Sequence, residues 1–425
     1  MNLLIIEPIG DAFGHFGIHT AKLAQQLAIR GHEVTVCTNR LEVSKFLTET
    51  PKFRLIEVEG GRLGFEEFER QATTRRGRYW YGYFRNSWKI ANAGLELCRR
   101  ERFDGIYMTD VEFAMAALSL KRHAKHIPPV ILQVNASNFS FAEFPGNVVK
   151  KTYKTLQREI FRKVIGKEIT AFSILGDWHR DRLRRQLRIG EDFPIELIHD
   201  GGGKFENQIE KSAARRQLGI DYSGDVFVFL GILRNDKGLE ALAQAMRLLD
   251  RKNREYRLII AGFPLDYTES QLREMFSLDT PGNRVAHHHL DYVEEARIPY
   301  YYFAADCLLL PYNNNYKGSS GPLMKGACTF GLPVVASDVS EMGVLTKKHG
   351  LGFTAIPGQA ESLADAMEQF LRTNPAERAA IMERAYALGG SNSWPDMARR
   401  YEEVFLKCSD GAVSSDPNCS AILRS

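Results

Sequence analysis

The 425-residue chain has six cysteines, at positions 37, 98, 307, 328, 408 and 419, and no two stand in a Cys-x-x-Cys spacing. That leaves no paired-thiol framework for a metal or redox site, and scattered thiols fit a reducing cytoplasm. No stretch approaches the roughly 20 apolar residues that a membrane span needs. The opening MNLLIIEPIG has too short an apolar run and no basic flank for a secretory leader, so it reads as a first strand. Neither sign of charge dominates: 56 Lys+Arg face 52 Asp+Glu, a formal net charge of +4. That balance is too mild to imply a nucleic-acid partner. What is present is ordinary for a globular protein of two or three domains, with 44% hydrophobic and 25% charged residues.

Leu3 to Glu7 is an apolar run of the kind a buried parallel strand needs. Ile18 to Arg30 has helical spacing and stops at Gly31, and Glu33 to Cys37 is a second strand. This βαβ order places the loop between Pro8 and Gly17 at the carboxyl edge of a sheet, where ligands bind in open α/β folds. The loop holds Gly10, Gly14 and Gly17 without the full G-x-G-x-x-G spacing. Gly14 and His15, with Asp11, are candidate substrate contacts; a histidine that only caps the helix is the plainer reading. Arg54 to Val58, Gly105 to Met108, Pro129 to Val134, Ile169 to Ile174 and Ile195 to Ile198 read as further strands. Asp110 and Asn135 follow two of them and are candidate acceptor contacts.

Two stretches mix aromatic and basic residues. One carries Arg75, Arg76, Arg78, Arg85 and Lys89 among Tyr79, Trp80, Tyr81, Tyr83, Phe84 and Trp88. The other, Val148 to Lys167, reads as a basic amphipathic helix with Leu156, Ile160, Phe161 and Val164 on one side. Both fit a surface helix with one buried face, or a helix lying on an anionic membrane.

The second half repeats the strand–loop–helix theme. Val226 to Leu230 is a strand, GILRNDKG is its loop, and Leu239 to Leu249 is the helix that follows. Gly231 allows close backbone approach, Arg234 offers a bidentate fork and Lys237 a compact charge. Tyr256 to Ala261, ending at Gly262, is the next strand. His287, His288 and His289 are adjacent, so on an extended chain they cannot all face one metal. No Asp-x-Asp occurs anywhere. Cys307 to Leu310 ends in Pro311-Tyr312, and Gly318, Ser319, Ser320 and Gly321 with Pro322 read as the start of a helix that ends at Gly331. Two helix starts from neighbouring βα units, with Arg234 and Lys237, could grip one diphosphate.

These motifs together resemble the retaining nucleotide-sugar glycosyltransferases of family 4. They are the first-strand glycine loop, GHEV before the second strand, G-x-L-R-x-x-K-G, D-x-x-x-x-P-Y at Asp306 to Tyr312, and F-G-L-P-V-V-A-S at Phe330 to Ser337. The resemblance implies the GT-B fold, an α/β architecture of two Rossmann-like doubly wound domains facing a central cleft. With the boundary placed just after the glycine hinge Gly201 to Gly203, this gives an acceptor-binding domain over 1–203, a nucleotide-sugar-binding domain over 204–392 and a C-terminal helix over 393–408 packing back on the first domain; the Ser/Asp/Gly-rich tail over 409–425 reads as disordered. Arg234 and Lys237 would bind donor phosphates and, with His15, carry catalysis. Gly231, Gly262, Tyr292, Gly318, Ser319, Ser320, Gly321 and Lys325 would complete the donor site; Gly14, His15, Asp110 and Asn135 would meet the acceptor. No metal and no cofactor are implied beyond the nucleotide sugar as substrate. The acceptor would be a glycan, a lipid-linked sugar or a small molecule, met in the cytoplasm or on the inner face of a membrane. The chain departs from the family at one place: Lys317 and Lys325 stand where paired glutamates are usual, and a lysine cannot accept from ribose hydroxyls. An epimerase of similar fold, and a non-catalytic subunit that keeps the fold, are the competing readings.

Overall fold

In strand β1 (Asn2–Glu7) every position after the first is buried. Side chains of a strand alternate between faces, so burial on both faces needs cover on both sides. Leu4 and Ile6 join one apolar cluster and Leu3 and Ile5 another, one on each face of the sheet. The computed structural model describes residues 1–8, 10, 16–59, 76–109, 113–134, 148–199, 202–318 and 321–409. Among the described residues no helix is long and apolar enough to cross a membrane.

The chain divides into two compact units, one formed by Met1–Gly201 with Trp394–Ser425 and the other by Gly202–Ser393. The first holds a seven-stranded sheet in the order β3-β2-β1-β4-β5-β6-β7. After β1 come β2 (Glu33–Thr38), β3 (Arg54–Glu57), β4 (Gly105–Thr109), β5 (Val130–Val134), β6 (Ile169–Ile174) and β7 (Ile195–Leu197). Each pairs in parallel with its neighbours. Helices Arg76–Leu97, Phe113–His123 and Val148–Arg162 cover one face through Ile90, Leu95, Ala117, Leu120 and Phe161. Helices Phe16–Ile29 and Trp394–Ser409 cover the other through Leu23, Leu27, Tyr401 and Phe405. The Val148 helix stops at Arg162, short of the Lys167 expected from its pattern. Gly166, at φ 71°, turns the chain, and Ile165 bridges to Ile169 to begin β6.

The second unit holds a six-stranded parallel sheet in the order β10-β9-β8-β11-β12-β13. Its strands are β8 (Val226–Leu230), β9 (Arg257–Ala261), β10 (Val285–His289), β11 (Cys307–Leu310), β12 (Val334–Ser337) and β13 (Gly352–Ala355). The order runs outward from β8 to β10 on one side, then restarts at β11 and runs outward on the other. β8 and β11 therefore flank the switch point, where two loops leave the carboxyl edge in opposite directions and open a crevice. Both units are doubly wound, Rossmann-like α/β folds.

Candidate functional site

The loops after β8 and β9 are zipped together by backbone. Gly231 N–H donates to Ala261 O at 3.0 Å, Leu233 N–H to Phe263 O at 2.8 Å and Gly262 N–H to His289 O at 2.9 Å. Gly231 has φ 148° and Gly262 φ 145°, backbone that only glycine adopts readily. A Cβ on Gly262 would stand 1.7 Å from Gly231 O, so no side chain fits between the two strand ends. A Cβ on Gly231 would meet nothing within 4 Å. The carboxyl ends of β8 and β9 thus present bare backbone next to open space.

Downstream, a 3-10 turn (Asn235–Lys237) leads through Gly238, at φ 68°, into the helix Leu239–Arg251. Gly238 is required on two counts: its left-handed backbone, and Pro311 O, which a Cβ would approach to 1.9 Å. The loop after β11 clamps the same turn, with Asn313 N–H donating to Asp236 O at 3.1 Å and Asn313 Nδ2 to Asn235 O at 2.6 Å. Lys237 is sealed beneath this clamp, only 7% exposed. Its Nζ lies 3.7 Å from the ring centroid of Tyr312 and 4.5 Å from that of Tyr316. Burial pulls the Lys237 ammonium down to about 7; Arg234 pushes the same way and Asp236 opposes. Burial also holds the hydroxyls of Tyr312 and Tyr316 protonated, well above the usual phenol range. Arg234 is half-buried and forked onto its own loop: Nε donates to Asp236 Oδ1 at 3.0 Å and Nη2 to Oδ2 at 2.8 Å. The two cations expected to meet a diphosphate therefore sit in different states. Arg234 is outward and paired, whereas Lys237 is inward and caged by aromatic faces.

The junction after β11 also differs in detail from its pattern. Gly318 O accepts from Ser340 Oγ at 2.6 Å, and Ser340 itself takes φ 56°. The expected α-helix has only three α-helical residues, Gly321–Leu323, and continues as a π-helix over Met324–Thr329. Close packing accompanies the wider turn: a Cβ at Gly326 would stand 2.6 Å from Leu308 on β11 and 3.0 Å from the Tyr302 ring. Single π turns of this kind recur at functional sites. Lys325 Nζ donates to Glu295 Oε2 at 2.7 Å, and Lys317 Nζ to Asn314 O at 2.6 Å. Tyr292 is 42% exposed in the loop after β10, its carbonyl 3.1 Å from His289 Nε2. His287 Nδ1 donates to Leu218 O at 2.9 Å, so two of the three adjacent histidines are spent on backbone carbonyls.

Gly231, Arg234, Lys237, Gly262, Tyr292, Gly318, Gly321 and Lys325 all lie in the loops and helix starts after β8, β9, β10 and β11. Ser319 and Ser320 lie outside the described residues, as do Asp11, Gly14, His15, Asp110 and Asn135 of the first unit. Tyr316, Asp236, Ser340 and Glu295 join these elements without having been expected from the sequence. Tyr316 had no periodic signal, because it lies with Tyr312 in a loop. Glu295 had none, because its partner is thirty residues away. The first unit also holds a buried polar string that no sequence motif marks. Tyr107 donates to Gln133 Oε1, and its hydroxyl lies 2.9 Å from His19 Nε2.

Residues 210–388 match the family Glycosyl transferases group 1. The alpha-D-kanosaminyltransferase of Streptomyces kanamyceticus is 22% identical over 287 residues, covering 65% of this chain and 71% of that protein. The D-inositol 3-phosphate glycosyltransferase of Corynebacterium aurimucosum is 29% identical over 217 residues, 49% of this chain and 48% of that protein. Among solved structures, the sucrose-phosphate synthase of Thermosynechococcus elongatus has a TM-score of 0.71 at 17% identity, covering 95% of this chain and 98% of that one. An Anabaena protein solved in complex with UDP and glucose has a TM-score of 0.66 at 16% identity, covering 96% and 99%. Residues 210–388 thus resemble a group 1 glycosyl transferase domain, and the similarities together make the chain a glycosyltransferase enzyme whose two Rossmann-like units match structures of the GT-B fold.

Proposed function

We propose that this glycosyltransferase takes its sugar from a nucleoside-diphosphate donor bound at the β8/β11 switch point and passes it to an acceptor hydroxyl. The observation that carries this is the pairing of two elements at one edge. Bare glycine backbone at Gly231 and Gly262 lets a ligand approach closely, and the Arg234–Lys237 turn supplies cations beside it. The Anabaena neighbour solved with UDP and glucose supports the same donor class.

In this mechanism the bond between the anomeric carbon and the diphosphate oxygen breaks, and its electron pair stays on the phosphate. The acceptor oxygen bonds to the anomeric carbon on the same face, so the configuration is retained. The acceptor proton passes to the departing phosphate oxygen, and no side-chain nucleophile and no metal take part. Lys237 and Arg234 stabilise the charge that develops on the diphosphate. Exchanging Asp236 for phosphate frees the guanidinium fork of Arg234 for bidentate contact. His15, Asp110 and Asn135 are the proposed acceptor contacts.

A thermal-shift screen of nucleotides and nucleotide sugars, followed by donor hydrolysis and transfer assays, tests this reading. A nucleoside-diphosphate sugar should raise the melting temperature and turn over. Lys237→Met should lower kcat/KM roughly 100-fold or more. If no nucleotide binds, the donor assignment is wrong.

A specific surface favours an acceptor presented on a lipid layer. Tyr81, Leu118, Val148 and Leu156 are 68%, 36%, 73% and 60% exposed on the three helices that cover one face of the first sheet. Arg85, Lys89, Lys121 and Arg122 are exposed beside them. Sedimentation with anionic and with neutral vesicles tests this: binding should need the anionic lipid and fade with salt. Equal recovery in the supernatant with both would remove the membrane reading.

A further inference from the structure

We propose that Glu295 is the residue that accepts the ribose hydroxyls of the donor nucleotide, with Lys325 as the residue that positions it. The assignment rests on the nucleotide-sugar reading of the second unit. Glu295 lies between β10 and the helix Ile298–Ala304, and Lys325 lies in the π segment that follows β11. In the sheet these two strands are separated by β9 and β8. The Lys325 Nζ–Glu295 Oε2 contact of 2.7 Å therefore ties together elements from either side of the bare strand ends at Gly262 and Gly231. The two helical segments lie against each other on one side of the sheet: Tyr302 stacks on Phe330 at 4.8 Å, and Gly326 faces the Tyr302 ring.

Both partners remain reachable, Glu295 at 49% and Lys325 at 36% side-chain exposure. Among the described residues Lys325 engages only Oε2, which leaves Oε1 as an acceptor. A carboxylate is acceptor-only, and a vicinal diol offers two hydroxyl donors at matching separation. Nucleotide-binding βαβ folds use an acidic residue on the ribose for this reason. Lys325 alone offers only donors; in the pair it orients the carboxylate. It also offsets a negative charge that would otherwise repel the diphosphate of the same ligand.

The test measures binding by calorimetry. Its probes are the ribonucleoside diphosphate among UDP, CDP, ADP and GDP that binds best, and its 2′-deoxy and 3′-deoxy forms. The native protein should prefer the ribo form by roughly tenfold or more, since hydrogen bonds to a charged acceptor are lost in the others. Glu295→Gln should bring that ratio close to unity. Lys325→Met should lower it, Lys325→Arg should keep it, and the exchange Glu295→Lys with Lys325→Glu should recover most of it. If the ribo form is not preferred, or if Glu295→Gln changes the melting temperature but not the ratio, the ribose role is overturned and the pair is structural. If none of the four diphosphates binds, the nucleotide reading itself fails, and this assignment falls with it.

Discussion

The Lys237 ammonium lies against two phenol rings rather than in water, and its charge is held only loosely. Its folded value of about 7 is below the unfolded value of 10.5. Between those two values the unfolded chain binds the extra proton, so this lysine makes stability rise with pH across that window. Lys237→Met should abolish that rise and stabilise the protein most at and below neutral pH, which melting curves over a pH series would show. On the proposed nucleoside-diphosphate reading, the same titration would govern ligand binding. A diphosphate favours the charged lysine, so donor binding should take up a proton above pH 7 and weaken as pH rises. Calorimetry of a nucleotide sugar at about pH 6 and about pH 8.5, in buffers of different ionisation heat, should find proton uptake only at the higher value. Tyr312→Leu removes one ring face from the ammonium and should shift this profile.

Among the elements, the β8 turn depends on backbone that other residues cannot adopt. Gly238→Ala combines a φ of 68° with a Cβ placed 1.9 Å from Pro311 O. It should cost about 3 kcal/mol or more in denaturant unfolding of the second unit. Gly231→Ala meets no atom and carries only backbone strain, so about 1–3 kcal/mol is expected, together with weaker nucleotide binding if the open space is the ligand's. Legibility also varied by element. Strands β1, β8 and β11 were readable because burial on both faces makes continuous apolar runs. The helix Asp177–Leu187 was not legible because six of its eleven residues are charged and it buries only His179, Leu183 and Leu187. The helix Glu269–Met275 did carry a readable mark, the capping box of Thr268 with Gln271.

For the whole molecule, the last helix returns to the first unit. Tyr401 is buried, edge-on to Tyr107 at 4.9 Å, and donates to Ser173 Oγ at 3.0 Å. Phe405 fills the space that the missing side chain of Gly105 leaves, and Glu402 pairs with Arg30 and His32. Deleting residues 394–425 should therefore uncover the apolar face around Leu3, Ile5 and Tyr107. In scanning calorimetry the first unit should lose its transition while the second, 202–393, keeps its own. Tyr401→Ala should cost about 3 kcal/mol in the first unit alone.

By itself the sequence determined what is local. The apolar runs of the strands, the glycines at Gly231, Gly238 and Gly262, and the basic turn from Arg234 to Lys237 each follow from short-range sterics or periodicity. The tertiary structure decided what depends on partners far apart in the chain. Asp236 occupies the fork of Arg234, Tyr312 and Tyr316 enclose Lys237, and the π-helix carries Lys325 to Glu295. A residue's type limits the bonds it can make, but which bond it makes, and at what charge, is set by neighbours that only the fold brings to it.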